Sequence, residues 1–428
     1  MPELLRPLGF VERLFEEGNY QYGGWLMIRA IRLSGPCDLE QLRSAADRAT
    51  RRLPLLASTI VRHRNKPMLA QLDNFQPLVE SVQRDSPERW QQETERQLER
   101  RLENGGPQWR MSVIHSQAST DWELLLAYNH AIADPVSVTI HLECILQEYQ
   151  QPTTTYSIAE SIAPPLELLL CQASSLRNSL RFLINEFRLS RQQKKMARFQ
   201  RPENLKATID TRKTRVRFAR LPAKQTKAML ESAKQQGVSF QGLLLAAMVR
   251  SSEDLLQDRT APCLTLSNLS LRKECGPGDY SRAQGCFIYW FMNQISGESA
   301  DNLLSLAQIC SEKVRASIPF ARPPATVFGN FVGKSIQQLA TGDNLGRFAT
   351  VGVSNIGPVA PPEQIGALTI REDYTISAQN VLGPEVMLLA STLAENLHLT
   401  FCFVQPLLDS EQMTAFRDRL VAELTSFV

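Results

Sequence analysis

A chain of 428 residues exceeds what one hydrophobic core ordinarily supports, so two domains are the starting expectation. Its 43% apolar and 21% charged residues suit a globular enzyme, and a formal charge of +3 over this length gives no case for nucleic acid. The start, MPELLRPLGFVERLFEEGNY, lacks the basic and apolar regions of a signal peptide, and no apolar run reaches membrane-spanning length. Cys37, Cys144, Cys171, Cys263, Cys275, Cys286, Cys310 and Cys402 are scattered without a CxxC pair. That pattern reads as reduced, mostly buried thiols of a soluble cytoplasmic protein.

In chain order, residues 24–35 predict a strand. Residues 38–54 predict a helix with Leu39, Leu42, Ala45 and Ala46 on one face, stopped by Pro54. Residues 55–63 and 68–72 are strand candidates, and 88–104 predict a charged helix closed by Gly105 and Gly106. Residues 109–116 and 122–130 read as two strands joined by a polar turn at 119–121. Val138, Leu142, Ile145 and Tyr149 then recur at helical spacing.

A polar, proline-containing stretch near residue 155 breaks the pattern. Leu176, Leu180, Leu183 and Phe187 next suggest a helix, crowded by Arg188, Arg191, Lys194, Lys195 and Arg198 in its second half. A solvated helix between domains explains this segment; contact with an anionic membrane surface or an acidic carrier protein is the alternative. The second half restarts with an alternating strand at 214–222, helices at 223–237 and 238–256, strands at 263–271, 287–295 and 397–405, and a last helix at 409–427. The expected division is therefore 1–155, a linker at 156–206, and 207–428.

Residues 124–138, LLLAYNHAIADPVSV, carry the candidate chemistry. The strand is apolar on both faces except at Glu123, as in a central buried strand. Asp134 suits the N-cap of the following helix and Pro135 its first turn, where no N–H is needed, so this pair has a complete structural explanation. His130, at the strand exit, is a candidate general base, since an imidazole with an ordinary pKa near 6.5 accepts protons at cellular pH. A structural histidine is the competing reading. His63 and His398 show no partner; His115 ends the strand before the motif strand, which places it near the site or, in preference, in a surface turn. The set His130, Asp134 and His141 matches no zinc or iron signature, so no metal is expected. Residues 276–279 form a turn and not a phosphate loop, no GxSxG elbow occurs, and no nucleotide cofactor is expected.

The run Asn129-His130-Ala131-Ile132-Ala133-Asp134-Pro135 resembles the HHxxxDG motif of the acyltransferases related to chloramphenicol acetyltransferase. That superfamily includes condensation domains of nonribosomal peptide synthetases and stand-alone polyketide-associated or alcohol acyltransferases, the branch this chain resembles most. Residues 35–59, 237–251, NLSLRKE at 268–274 and VSNIGPV at 353–359 resemble further family segments, in family order over nearly the whole chain.

The resemblance implies a mixed α/β fold of two sandwich domains meeting at a V-shaped cleft with a through tunnel, and a monomer. It implies transfer of an acyl group from a CoA or carrier-protein thioester to a small-molecule hydroxyl or amine acceptor, with no separate cofactor. His130 would be the base, Asp134 a structural support paired with Arg272, and Asn355 an oxyanion donor; Asn129 and Ser354 would line the tunnel. Asn129 stands where the family has its first histidine, and Pro135 where it has glycine. These departures leave open a carrier-docking module without turnover; an unrelated hydrolase is a second, more distant alternative.

Overall fold

The computed structural model describes residues 3–72, 75–152, 162–171, 184, 187, 191–201, 205–276, 278–296, 302–321, 332–358 and 361–427. The architecture is mixed α/β, with two six-stranded mixed sheets, a small three-stranded one, and covering helices.

The first sheet runs, edge to edge, Gln364–Ile365, Leu368–Ser377, Leu26–Ser34, Asp121–Asn129, Trp109–His115 and Val79–Gln83. The motif strand Asp121–Asn129 is central, antiparallel to Leu26–Ser34 on one side and to Trp109–His115 on the other. It is buried from Trp122 onward, which is why its sequence is apolar on both faces. The exception, Glu123, is buried too, and Arg32 and Arg84 pair with it. The second sheet runs Ile288–Ile295, Cys263–Ser270, Arg347–Gly357, Gly383–Leu393, Asn396–Gln405 and Lys213–Leu221. Its strand Arg347–Gly357 lies parallel to both neighbours.

The division expected from the sequence is crossed by the first sheet. Strand Leu368–Ser377, from the second half of the chain, pairs with Leu26–Ser34 from Met27 to Ser34. That pairing covers what would otherwise be an open sheet edge. It is locked by the buried Arg29–Asp373 ion pair, with Arg29 also donating to Thr375 Oγ1 at 3.1 Å. Ser391 Oγ, in the second sheet, donates to the Asp373 carbonyl at 2.9 Å and ties the two sheets together.

Of the basic segment, Ile184, Phe187 and Arg191 are helical and exposed, Gln192 and Gln193 are helical and half-buried, and Lys194 and Lys195 sit in an exposed turn. Leu176, Leu180, Leu183 and Arg188 lie outside the described residues. No helix among the described residues is long and apolar enough to cross a membrane.

Helix Phe240–Ser252 is buried around nearly its whole circumference, and Gly242 marks its closest approach to helix Leu303–Ser317. A Cβ there would lie 2.1 Å from Ser311 Oγ, 2.8 Å from Ser311 N and 2.9 Å from the Ala307 carbonyl oxygen. Two of these atoms are backbone and cannot swing aside. Gly242→Val is therefore expected to destabilise by at least the roughly 1–3 kcal/mol typical of overpacking. A thermal melt checks this; an unchanged midpoint would mean that the two helices separate freely.

Candidate active site

The motif strand ends at Asn129, and a tight turn follows, in which Ile132 N–H donates to the Asn129 carbonyl at 3.1 Å. The turn leads to helix Pro135–Gln150, whose N-cap is Asp134, in extended backbone, with Pro135 in the first turn. Asp134 Oδ1 accepts the Ser137 N–H at 2.9 Å, the expected capping bond. Proline suits this place because its missing N–H belongs to the unsatisfied first turn.

The turn brings the Ala133 carbonyl back to His130 Nδ1, at 2.8 Å. A carbonyl only accepts, so Nδ1 carries the proton and Nε2 is left with its lone pair. The imidazole is 7% exposed and stacks flat on Phe15, ring centroids 4.4 Å apart and planes 10° from parallel. Burial pushes its pKa below the ordinary histidine value; the Ala133 carbonyl and the Asp134 charge oppose this only in part. The ring is thus held neutral, in one tautomer, with Nε2 as the basic atom.

Asp134 and Arg272 form a buried ion pair, Nη2 to Oδ1 at 2.7 Å and Nε to Oδ2 at 3.2 Å. Arg272 spends its other donors on Ser137 Oγ and on the carbonyls of Tyr280 and Ala283, at 2.7–3.0 Å. With five N–H groups so engaged, Arg272 has none left for a substrate. Its guanidinium also lies 4.3 Å over the Phe287 ring. Asp134 Oδ2 accepts the Phe287 N–H at 3.2 Å, and Gly285 exchanges hydrogen bonds with Asp134 N–H and Ser137 Oγ. Gly285 has φ +149, and a Cβ there would meet the Phe287 ring at 2.8 Å, so glycine is required. This knot joins the motif loop to the second half of the chain. Ser137, Gly285 and Phe287 went unremarked in the sequence because their partners lie far away along it.

Asn129, expected to line a tunnel, is fully buried instead. Its Nδ2 donates to Glu16 Oε2 at 2.7 Å and to Gln108 Oε1 at 2.9 Å, and its Oδ1 accepts the Ala131 N–H at 3.0 Å. The amide is spent on the protein because it sits at the inner end of a central strand. Glu16 and Phe15 belong to helix Phe10–Tyr22, which the sequence reading did not identify. Val11, Phe15 and Gly18 at i, i+4 and i+7 were the available signal.

Asp134, Pro135, Arg272, Ser354 and Asn355 line a cleft of about 270 Å³ at the start of the motif helix, between segments of both halves of the chain. Asn355 Oδ1 accepts the Gly357 N–H at 3.1 Å, as a turn asparagine does, while its Nδ2 has no partner among the described residues. His130 is not among the residues lining this cleft. His141 lies apart, fully buried, with Nδ1 2.8 Å from Tyr128 Oη and Nε2 3.3 Å from Thr50 Oγ1; burial holds its pKa down at about 3. His115 contacts Ser81 Oγ at 2.9 Å. His398 is buried edge-on to Tyr374, its pKa lowered to about 4 by burial.

Two mixed sheets, one completed by a strand from the other half of the chain, with a His-x-x-x-Asp loop tied across them, make a fold that this chain shares with solved structures of an acetyltransferase and of condensation domains. The chain is similar to trichothecene 15-O-acetyltransferase TRI3 from Fusarium sporotrichioides, with 12% identity, TM-score 0.78, and 99% of this chain and 95% of that one covered. It is similar to polyketide synthase associated protein 5 from Mycobacterium tuberculosis, at 17% identity, TM-score 0.68 and 99% coverage of both chains. It also resembles the first condensation domain of the CDA synthetase, at 13% identity, TM-score 0.72, and 99% and 96% coverage. No family model and no curated protein matches the sequence.

Proposed function

We propose that this chain is a thioester-dependent acyltransferase that uses His130 as general base. The observation that carries the reading is the Nδ1 bond to the Ala133 carbonyl, which reserves Nε2 for proton transfer in a ring that burial keeps neutral. The donor is an acyl-CoA or an acyl carrier protein, and the acceptor a small alcohol or amine. As the acceptor oxygen or nitrogen bonds to the thioester carbonyl carbon, its proton passes to Nε2. The tetrahedral oxyanion then collapses, the carbon–sulfur bond breaks, and the leaving thiolate takes the proton back. No acyl-enzyme forms, and His130 ends in its starting state. The Asn355 Nδ2 in the cleft is the proposed donor to the oxyanion.

The test is incubation with acyl thioesters and candidate acceptors, with products weighed by mass spectrometry. Acyl ester or amide formation is expected. Thioester bound and protected without product would favour the docking module, and free acid at a rate independent of acceptor would favour a hydrolase.

The lowered pKa of His130 sets the pH dependence. The base works only when unprotonated, so kcat/KM falls as pH drops through the pKa of the free enzyme. That limb is expected below the ordinary histidine value of about 6.5. An acidic limb centred above 6.5 would count against His130 as the titrating base.

A further inference from the structure

Helix Phe10–Tyr22 places two consecutive side chains against the motif loop. Phe15 stacks on the His130 ring, and Glu16 accepts from Asn129 Nδ2. We propose that Glu16 is a positioning residue for His130, acting by fixing which way the Asn129 amide points. This inference rests on the reading of His130 as the base.

The geometry follows from donor and acceptor chemistry. Gln108 Nε2 is committed to the carbonyls of Glu103 and Gly106, so its Oε1 faces Asn129 as an acceptor. Glu16 supplies the second acceptor. Two acceptors demand that the Asn129 NH2 group point at them, which turns Oδ1 toward the Ala131 N–H. That bond holds the start of the turn whose far end, the Ala133 carbonyl, takes the Nδ1 proton of His130. If the amide flipped, its NH2 would face the Ala131 N–H donor to donor, and the turn would loosen. Loss of the turn releases the Nδ1 tautomer and, with it, the lone pair on Nε2.

Burial also raises the pKa of the Glu16 carboxyl to about 7. Protonated or not, Oε2 remains able to accept from Asn129, so glutamine is the conservative replacement. Leucine has the bulk and no acceptor.

The experiment combines steady-state kinetics with nitrogen NMR of histidine-labelled full-length protein. The chain has five histidines, and His130→Ala identifies the resonances of that ring. For Glu16→Leu we expect kcat to fall about tenfold, KM to change little, and the His130 signals to move from the pure Nδ1–H form to a mixture of tautomers. Glu16→Gln should restore both. A wild-type tautomer and wild-type kcat in Glu16→Leu would overturn the proposal. Should that variant not fold, Asn129→Ala cuts the same link from the loop side, and wild-type behaviour there would overturn it equally. If His130→Ala kept full acyl transfer while Glu16→Leu still shifted the tautomer, the general-base reading would fall and the positioning role of Glu16 would stand.

Discussion

His130→Ala is expected to be nearly inactive and still folded. Loss of a general base typically costs roughly 100- to 10,000-fold in rate. The side chain is buried against Phe15 and bonded to the Ala133 carbonyl, so the variant also leaves a small void and an unpaired acceptor. An unsatisfied buried group costs about 1–3 kcal/mol. In a protein of this size that amounts to roughly 2–4 °C in Tm per kcal/mol at most. A melt lowered by several degrees, with acyl transfer lost, is therefore the expected pair of results. Near-normal acyl transfer would mean that another group is the base, or that the turnover has a different mechanism.

Asp134→Ala should show the opposite balance, with the larger loss in stability. It removes the N-cap bond to Ser137, worth about 1 kcal/mol. It also strands the buried Arg272 guanidinium, and breaking a buried ion pair from one side costs about 3–5 kcal/mol. Because Arg272 has all its donors engaged within the knot, Arg272→Ala should melt about as low as Asp134→Ala. The double variant should melt well above the sum of the two losses, since each substitution removes the same interaction. Additive losses would show that the two residues act independently. Activity should fall in proportion to how far the loop is released, which a comparison of kcat below the melt would measure.

Much of the motif was legible because its bonds are local. An aspartate before a proline at the end of an apolar run states a helix cap by itself, and the Asp134–Ser137 bond spans only three residues. The central position of the strand at 121–129 was equally readable, since burial on both faces writes a continuous apolar run. The choice of Arg272 came from resemblance alone, 138 residues away from its partner along the chain.

What the tertiary structure decided is whatever depends on distant segments meeting. Helix Phe10–Tyr22 was hidden because its buried face alternates Val11, Phe15 and Gly18 with Glu12, Glu16 and Asn19, polar groups that imitate a solvated surface. They are buried because other segments supply their partners, as Asn129 and Leu102 do for Glu16 and Asn19. Strand Leu368–Ser377 entered the sheet of the first half for a similar reason: strand pairing is long-range hydrogen bonding, and no local pattern names its partner. By itself the sequence determined that residue 130 is a histidine at a strand exit, with an ordinary pKa and two possible tautomers. Folding chose between those tautomers through the Ala133 carbonyl and lowered the pKa by excluding water, because both the bond and the desolvation exist only once the loop, the first helix and the sheet are assembled.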